Sequence, residues 1–97
     1  MDVRLLALVR IKSAQKFAEF HEQIVPLIKS FSGTFISQGI DDVMYFDEIG
    51  GHPFDGVVEI QFPSAYDADN WATSEELRSL ICLRQEAMDV TLMRIAG

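Results

Sequence analysis

Residues 3–11 read VRLLALVRI, a short run dominated by leucine and valine. Alternate side chains of a β-strand point to opposite faces of its sheet. One face of this run would carry Val3, Leu5, Ala7 and Val9, and the other would carry Leu6 and Leu8. A strand that is apolar on both faces is covered on both faces. The stretch therefore predicts a strand whose sheet is packed by the protein's own helices on one side and by something further on the other.

The residues after this strand carry the pattern of an amphipathic helix. Ser13 is a suitable N-cap, because its hydroxyl can accept a hydrogen bond from a free backbone N–H of the first turn. Apolar residues then recur at three- and four-residue spacing: Phe17, Phe20, Ile24, Leu27, Ile28 and Phe31. Pro26 is expected to kink this helix or remove one backbone hydrogen bond, and Gly33 is expected to close it as the C′ residue.

The middle of the chain predicts strands separated by a loop. Residues 34–40 and 43–48 are rich in β-formers and predict one long, bulged strand or two short ones, interrupted by Gly39 and an acidic pair. Residues 49–56 contain three glycines and a proline and predict a loop. Residues 57–62, VVEIQF, predict a strand that turns Glu59 away from its apolar face.

The C-terminal third completes the element order. Ser64 and Ser74 are predicted N-caps of two successive helical segments, the second reaching about Met88, and residues 89–96 predict the closing strand. The order βαββαβ predicts one ferredoxin-like α+β domain over residues 1–97, an antiparallel sheet with its helices on one face. Because the open face carries Leu, Val and Met among its polar residues, we predict a homodimer through that face.

Composition excludes several classes of partner. The formal net charge of −7 makes nucleic acid and anionic membranes poor partners. No run approaches the roughly 18 apolar residues that a membrane span requires. The single cysteine, Cys82, cannot form an intrachain disulfide and favours a reducing compartment. A soluble, cytoplasmic protein is therefore expected.

Arg84 is the most informative position for a site. It lies on the apolar stripe of the last helix, four residues after Leu80 and seven after Leu77. A guanidinium that points inward needs a carboxylate or a bound anion, because an unpaired buried charge is costly. The simpler interpretation is a structural ion pair with Glu48 or Glu59, and the alternative is a substrate-binding arginine.

The remaining candidate side chains carry weaker signals. Trp71 could form the floor of a ligand pocket, although aromatic residues more often pack in a core or an interface. His52 could act as a base near a cleft, and the ordinary alternative is a loop histidine. His21 is the one other histidine of the sequence, and no spacing typical of metal ligands is present. No metal site is therefore predicted. No P-loop, GxGxxG, GxSxG or CxxC motif occurs, so no cofactor is expected.

Several of these residues together resemble a known family. The run FDGVVEIQFPSAYDADNWATSEEL with the later Leu83-Arg84 is similar to the domain-of-unknown-function family 1330, of the dimeric α+β barrel superfamily. The matching positions are Phe62, Pro63, Ser64, Trp71, Ser74, Glu76, Leu83 and Arg84, with Pro26, Gly33, Glu48 and Gly50 earlier in the chain. The resemblance implies a barrel-like dimer in which the sheets of two subunits pack face to face. Glu75 and Leu77 stand where the family usually has proline and tyrosine, so a phenol is absent there.

Three possibilities follow from these residues and this resemblance. The first is binding of a small anionic or aromatic metabolite in a cleft between helices and sheet, with Arg84 holding an anion and Trp71 packing on a ring. Glu48 or Glu59 would then serve as an acid or base. The alternative is an enzyme like the cofactor-independent monooxygenases or isomerases of the superfamily. A non-catalytic dimeric module with purely structural polar residues is the third possibility left open.

Overall fold

The computed structural model describes residues 1–40, 45, 46, 48, 49 and 54–95, and these form the predicted βαββαβ order. The elements are β1 (Val3–Ile11), α1 (Ala14–Ser30), β2 (Thr34–Ile40), β3 (Gly56–Phe62), α2 (Ala65–Ala72), α3 (Glu75–Arg78), α4 (Ile81–Ala87) and β4 (Met88–Ile95). The helical region after β3, which was predicted as two successive segments, consists of three short helices. Its helices α2 and α3 are capped by the side chains of Ser64 and Ser74, as predicted.

The sheet is antiparallel throughout, with the strand order β2-β3-β1-β4. The chain therefore has the α+β, ferredoxin-like fold predicted from the element order. The predicted second strand is only partly present, because Tyr45, Phe46 and Glu48 lie outside any strand, while positions 43, 44 and 47 fall outside the described residues. A bulge lies in β2, but between Phe35 and Ser37 instead of at Gly39.

Helix α1 begins as predicted and ends one residue earlier than predicted. The Ser13 hydroxyl accepts a hydrogen bond from the Lys16 N–H at 3.2 Å. At the other end Ser32, with φ of 70°, is the left-handed residue. The prediction that Gly33 is the C′ residue is wrong, because Ser32 occupies that position. Gly33 follows it as C″, and its N–H donates to the Ile28 carbonyl at 2.9 Å.

The core lies between the helices and one face of the sheet. Its buried side chains include Leu5, Ala7 and Val9 of β1, Ile60 and Phe62 of β3, and Phe20, Ile24 and Ile28 of α1. Phe62 and Ile28 are the most deeply buried of the large side chains described. The prediction from alternation in VRLLALVRI, that one face of β1 meets the helices, is therefore confirmed.

The other face of the sheet carries half-buried and exposed apolar residues between polar pairs. Leu6 and Leu8 are half-buried there, and Met93, directly opposite Leu6, is 43% exposed. Arg4 lies 3.6 Å from Glu59 on the same face. None of the helices in the described ranges is long and apolar enough to cross a lipid bilayer.

Candidate functional site

A cavity of about 390 Å³ lies between the sheet and the helices. One row of side chains across all four strands forms part of its floor: Gln38, Val58, Ala7 and Leu92, each paired with the next by the strand register. Ala7 is the smallest of the four and sits on an inner strand. The short side chain at this position leaves part of the space above the sheet open to the cavity.

The walls of the cavity are largely aromatic and aliphatic. Phe17, Phe20 and Ile24 face it from α1, Phe35 from β2 and Trp71 from α2. Such a lining, with a few polar groups, is typical of sites for small organic molecules, and the volume falls in the usual range of about 300–1,000 Å³. Exposed lining residues mark its rim: Ala72, Thr73, Arg78, Ile81 and the two ends of the floor row on the edge strands, Gln38 and Leu92.

Trp71 places an unsatisfied hydrogen-bond donor in this wall. The side chain is only 4% exposed, and its ring packs on Phe62 with centroids 5.6 Å apart and planes tilted by 34°. Its indole Nε1 is buried without a hydrogen-bond partner within the described part of the chain. Leaving a buried donor unpaired costs roughly 1–3 kcal/mol, and because this nitrogen is itself buried, an acceptor in the cavity would reach it only after a local movement of the wall.

Arg84 places a positive charge in the same cavity. It is half-buried on α4, and no carboxylate lies within 4.0 Å of its guanidinium among the residues that the structure describes. Its charge contributes to lowering the pKa of Asp89, although the hydrogen bond from Arg10 is the larger cause. Arg84 is therefore available to pair with an anion from outside the chain.

His21 adds a group that can both donate and accept. It is half-buried on α1, and its Nε2 lies 3.1 Å from Oε1 of Gln38 on β2. Its ring lies between those of Phe17 and Phe35, with both centroid distances at 6.4 Å. Sequence reasoning did not select His21, yet a signal existed, because it follows Phe17 by four residues and precedes Ile24 by three on the apolar stripe.

Other polar side chains in the lining are already engaged with the backbone. The Thr73 hydroxyl donates to the Asp69 carbonyl at 2.8 Å. The Ser74 hydroxyl donates to the Trp71 carbonyl at 2.8 Å and accepts from the Leu77 N–H at 3.1 Å. These two hydroxyls close one helix and open the next. Among the described lining residues, His21, Gln38, Arg78 and Arg84 remain as the polar side chains that can meet a ligand.

The structure brings together two of the five residues selected from the sequence. Arg84 and Trp71 both line the cavity. Glu59 lies on the opposite face of the sheet beside Arg4, so the expected ion pair between Arg84 and Glu59 is wrong. Glu48 is exposed and belongs neither to the cavity lining nor to an ion pair with Arg84. His52 lies outside the described residues.

No group of three or more metal-ligating side chains is assembled in the described ranges. The polar groups of the cavity are instead suited to hydrogen bonding and to pairing with an anion. Tryptophan and arginine only donate hydrogen bonds, whereas histidine can donate and accept.

Comparison with known proteins defines the family and the fold. The model of the family described as "Domain of unknown function (DUF1330)" matches residues 4–97. No curated protein matches.

Three solved structures illustrate the likeness in fold. A protein of unknown function from Rhodopseudomonas palustris is 21% identical, with a TM-score of 0.80 over 99% of this chain and 82% of that one. A dimeric protein of unknown function and ferredoxin-like fold from Bacteroides fragilis is 14% identical, with a TM-score of 0.63 over 99% and 96%. SnoaB, a cofactor-independent oxygenase from Streptomyces nogalater, is 10% identical, with a TM-score of 0.60 over 99% and 92%. At these identities the likeness establishes the fold alone.

Proposed function

Because the chain belongs to the DUF1330 family, whose function is unknown, we propose from its cavity that it binds a small anionic or aromatic metabolite between sheet and helices. The observation that carries this proposal is a cavity of about 390 Å³ whose lining is largely apolar and includes one half-buried arginine, Arg84. A mostly apolar cavity with a few polar groups is the usual form of a small-molecule site.

Arg84 supports an anionic group on the ligand. This half-buried residue has no carboxylate partner for its guanidinium within the described part of the chain, and it lines the same cavity as Trp71. A carboxylate is the planar anion that a guanidinium pairs with in bidentate geometry. Phe17, Phe20 and Phe35 would pack against the apolar body of such a ligand.

Thermal unfolding in the presence of small carboxylates and quinones tests this function. A ligand that binds only the folded state at 100 times its Kd stabilises that state by about 2.7 kcal/mol. We expect wild type to show such a shift with at least one probe, such as benzoate, and Arg84→Gln to lose most of the shift. Lys29→Gln removes an exposed cation on α1 that does not line the cavity, so this control should respond like wild type.

Two results would count against a binding site in the cavity. One is the absence of a ligand-dependent shift in wild type at millimolar concentrations. The other is an unchanged shift in Ala7→Leu, a variant in which a larger side chain rises from the cavity floor.

A second candidate function is cofactor-independent oxygenation of a bound phenol or hydroquinone. It is favoured by the likeness in fold to SnoaB and by the buried Trp71 in the cavity wall. Oxygen uptake with simple hydroxynaphthalenes, measured with and without Ala7→Leu, separates this activity from binding alone. Uptake no faster than in buffer would exclude these compounds as substrates.

We also propose that the chain forms a homodimer through the open face of its sheet. Half-buried Leu6 and Leu8 and exposed Met93 and Ile95 lie on that face. The Arg4–Glu59 and Arg10–Asp89 pairs satisfy the charges between these apolar residues, which lowers the cost of covering them. The protein from Bacteroides fragilis with a similar fold is described as dimeric.

A further inference from the structure

His21 and Gln38 form a hydrogen-bonded pair in the cavity lining, where α1 passes over β2. The pair joins His21 Nε2 to Gln38 Oε1 at 3.1 Å. Phe17 and Phe35 lie near the imidazole, each at a centroid distance of 6.4 Å. The histidine thus has neighbours on both α1 and β2, and its hydrogen bond to Gln38 favours one orientation of the ring.

This pairing decides which ring nitrogen remains for a ligand. With the oxygen of the Gln38 amide facing the ring, as it does in this structure, Nε2 of the neutral imidazole is the nitrogen that carries the proton and donates it. The second nitrogen, Nδ1, is then an acceptor, and the described residues supply it with no hydrogen-bond donor.

The other uncommitted polar groups of the cavity have the opposite character. The guanidinium groups of Arg84 and Arg78 only donate hydrogen bonds. A ligand that satisfies these groups together with His21 therefore needs an acceptor or anion for arginine and a donor for the histidine. An aromatic body between them suits the phenylalanine walls.

We propose that the cavity selects a hydroxylated aromatic carboxylate, whose hydroxyl donates to His21 Nδ1 and whose carboxylate accepts from Arg84. This inference rests on the proposed binding function and adds to it the ligand class and a residue that determines specificity. Gln38 is a positioning residue, because it acts on the ligand only by fixing the tautomer and orientation of His21.

Matched probes isolate the contribution of the hydroxyl. Dissociation constants are measured for benzoate, the three hydroxybenzoates and the three methoxybenzoates, since methylation removes the donor and keeps the ring and carboxylate. In wild type we expect at least one hydroxybenzoate to bind roughly two- to tenfold more tightly than its methoxy counterpart and than benzoate, as one neutral hydrogen bond provides.

Substitution at His21 then assigns that preference to the imidazole. His21→Phe keeps an aromatic ring between Phe17 and Phe35 but cannot accept a hydrogen bond, so the hydroxybenzoate preference should disappear while benzoate affinity changes by less than about twofold. His21→Leu provides the same test if the phenylalanine variant unfolds. Gln38→Leu should weaken the preference without abolishing benzoate binding.

The outcomes separate this inference from the function on which it rests. If hydroxybenzoates retain their advantage in His21→Phe or His21→Leu, or have none in wild type while benzoate binds, the role of His21 is overturned and the binding function stands. If none of the seven probes binds wild type, the binding function itself fails for aromatic carboxylates.

Discussion

Ala7 lies directly opposite Val58 in the antiparallel pairing of β1 with β3, and both side chains form part of the cavity floor. Filling the space above Ala7 should be tolerated by the fold. We expect Ala7→Leu to change the free energy of unfolding by less than about 1.5 kcal/mol, because the added carbons enter existing empty volume. Urea unfolding of wild type and the variant measures this difference.

Leu5 provides the matched control for that substitution. It is buried on the same strand and face but does not line the cavity. Leu5→Phe should therefore cost roughly 1–3 kcal/mol through overpacking. Equal losses in the two variants would contradict the existence of usable space above Ala7.

Gly33 should not tolerate even one methyl group. A Cβ at this position would lie 2.5 Å from Ile28 Cγ2 and 2.8 Å from Phe62 Cε1. Both neighbours are almost completely buried and cannot move aside. We expect Gly33→Ala to destabilise the protein by roughly 1–3 kcal/mol in chemical unfolding, and a neutral result would contradict the close approach.

A substitution at the neighbouring residue Ser32 should stabilise the protein instead. Its φ of 70° is a left-handed conformation that strains a residue with a Cβ and suits glycine. Ser32→Gly is expected to raise the free energy of unfolding by about 0.5–1 kcal/mol, since glycine is the preferred C′ residue of a helix. A loss of stability would show that the serine side chain makes a compensating contact.

The carboxyl of Asp89 should titrate below its ordinary pKa of 3.8. The hydrogen bond from Arg10 is the main cause and desolvation, the next largest effect, opposes it. The charges of Arg10, Lys12 and Arg84 lower the pKa further by smaller amounts. A lowered pKa in the folded state stabilises the fold above the unfolded pKa, and this stabilisation is lost as pH falls through the folded pKa. NMR titration should show a rise of the Asp89 pKa in Arg10→Gln and a smaller rise in Arg84→Gln.

Dimerisation through the open face of the sheet can be tested by light scattering during size-exclusion chromatography. One chain has a mass of 10.9 kDa, so wild type is expected at twice this value. Met93→Glu should shift the protein towards the monomer, because a dimer would bury the new charge. Tyr66→Glu, which alters a 74% exposed side chain on α2, should leave the mass unchanged. A monomeric wild type would contradict the proposed assembly.

The sequence by itself determined the element order, the cap of α1 and the buried face of β1. These features depend on local periodicity and on hydrogen bonds within a few residues, so they can be read directly from positions such as Ser13 and Leu5. Alternation in β3 also places Glu59 away from the helices, and the expected pairing of Glu59 with Arg84 was wrong for that reason.

Only the tertiary structure decided which polar groups share the cavity. Strict alternation along β2 would put Phe35 and Ser37 on one face and Gln38 on the other. The bulge between Phe35 and Ser37 changes this, so that Phe35 pairs with Ile60 and Gln38 pairs with Val58 on the helix side of the sheet. His21 therefore meets Gln38, and Trp71 and Arg84 meet the same cavity, through packing between elements that no local pattern encodes.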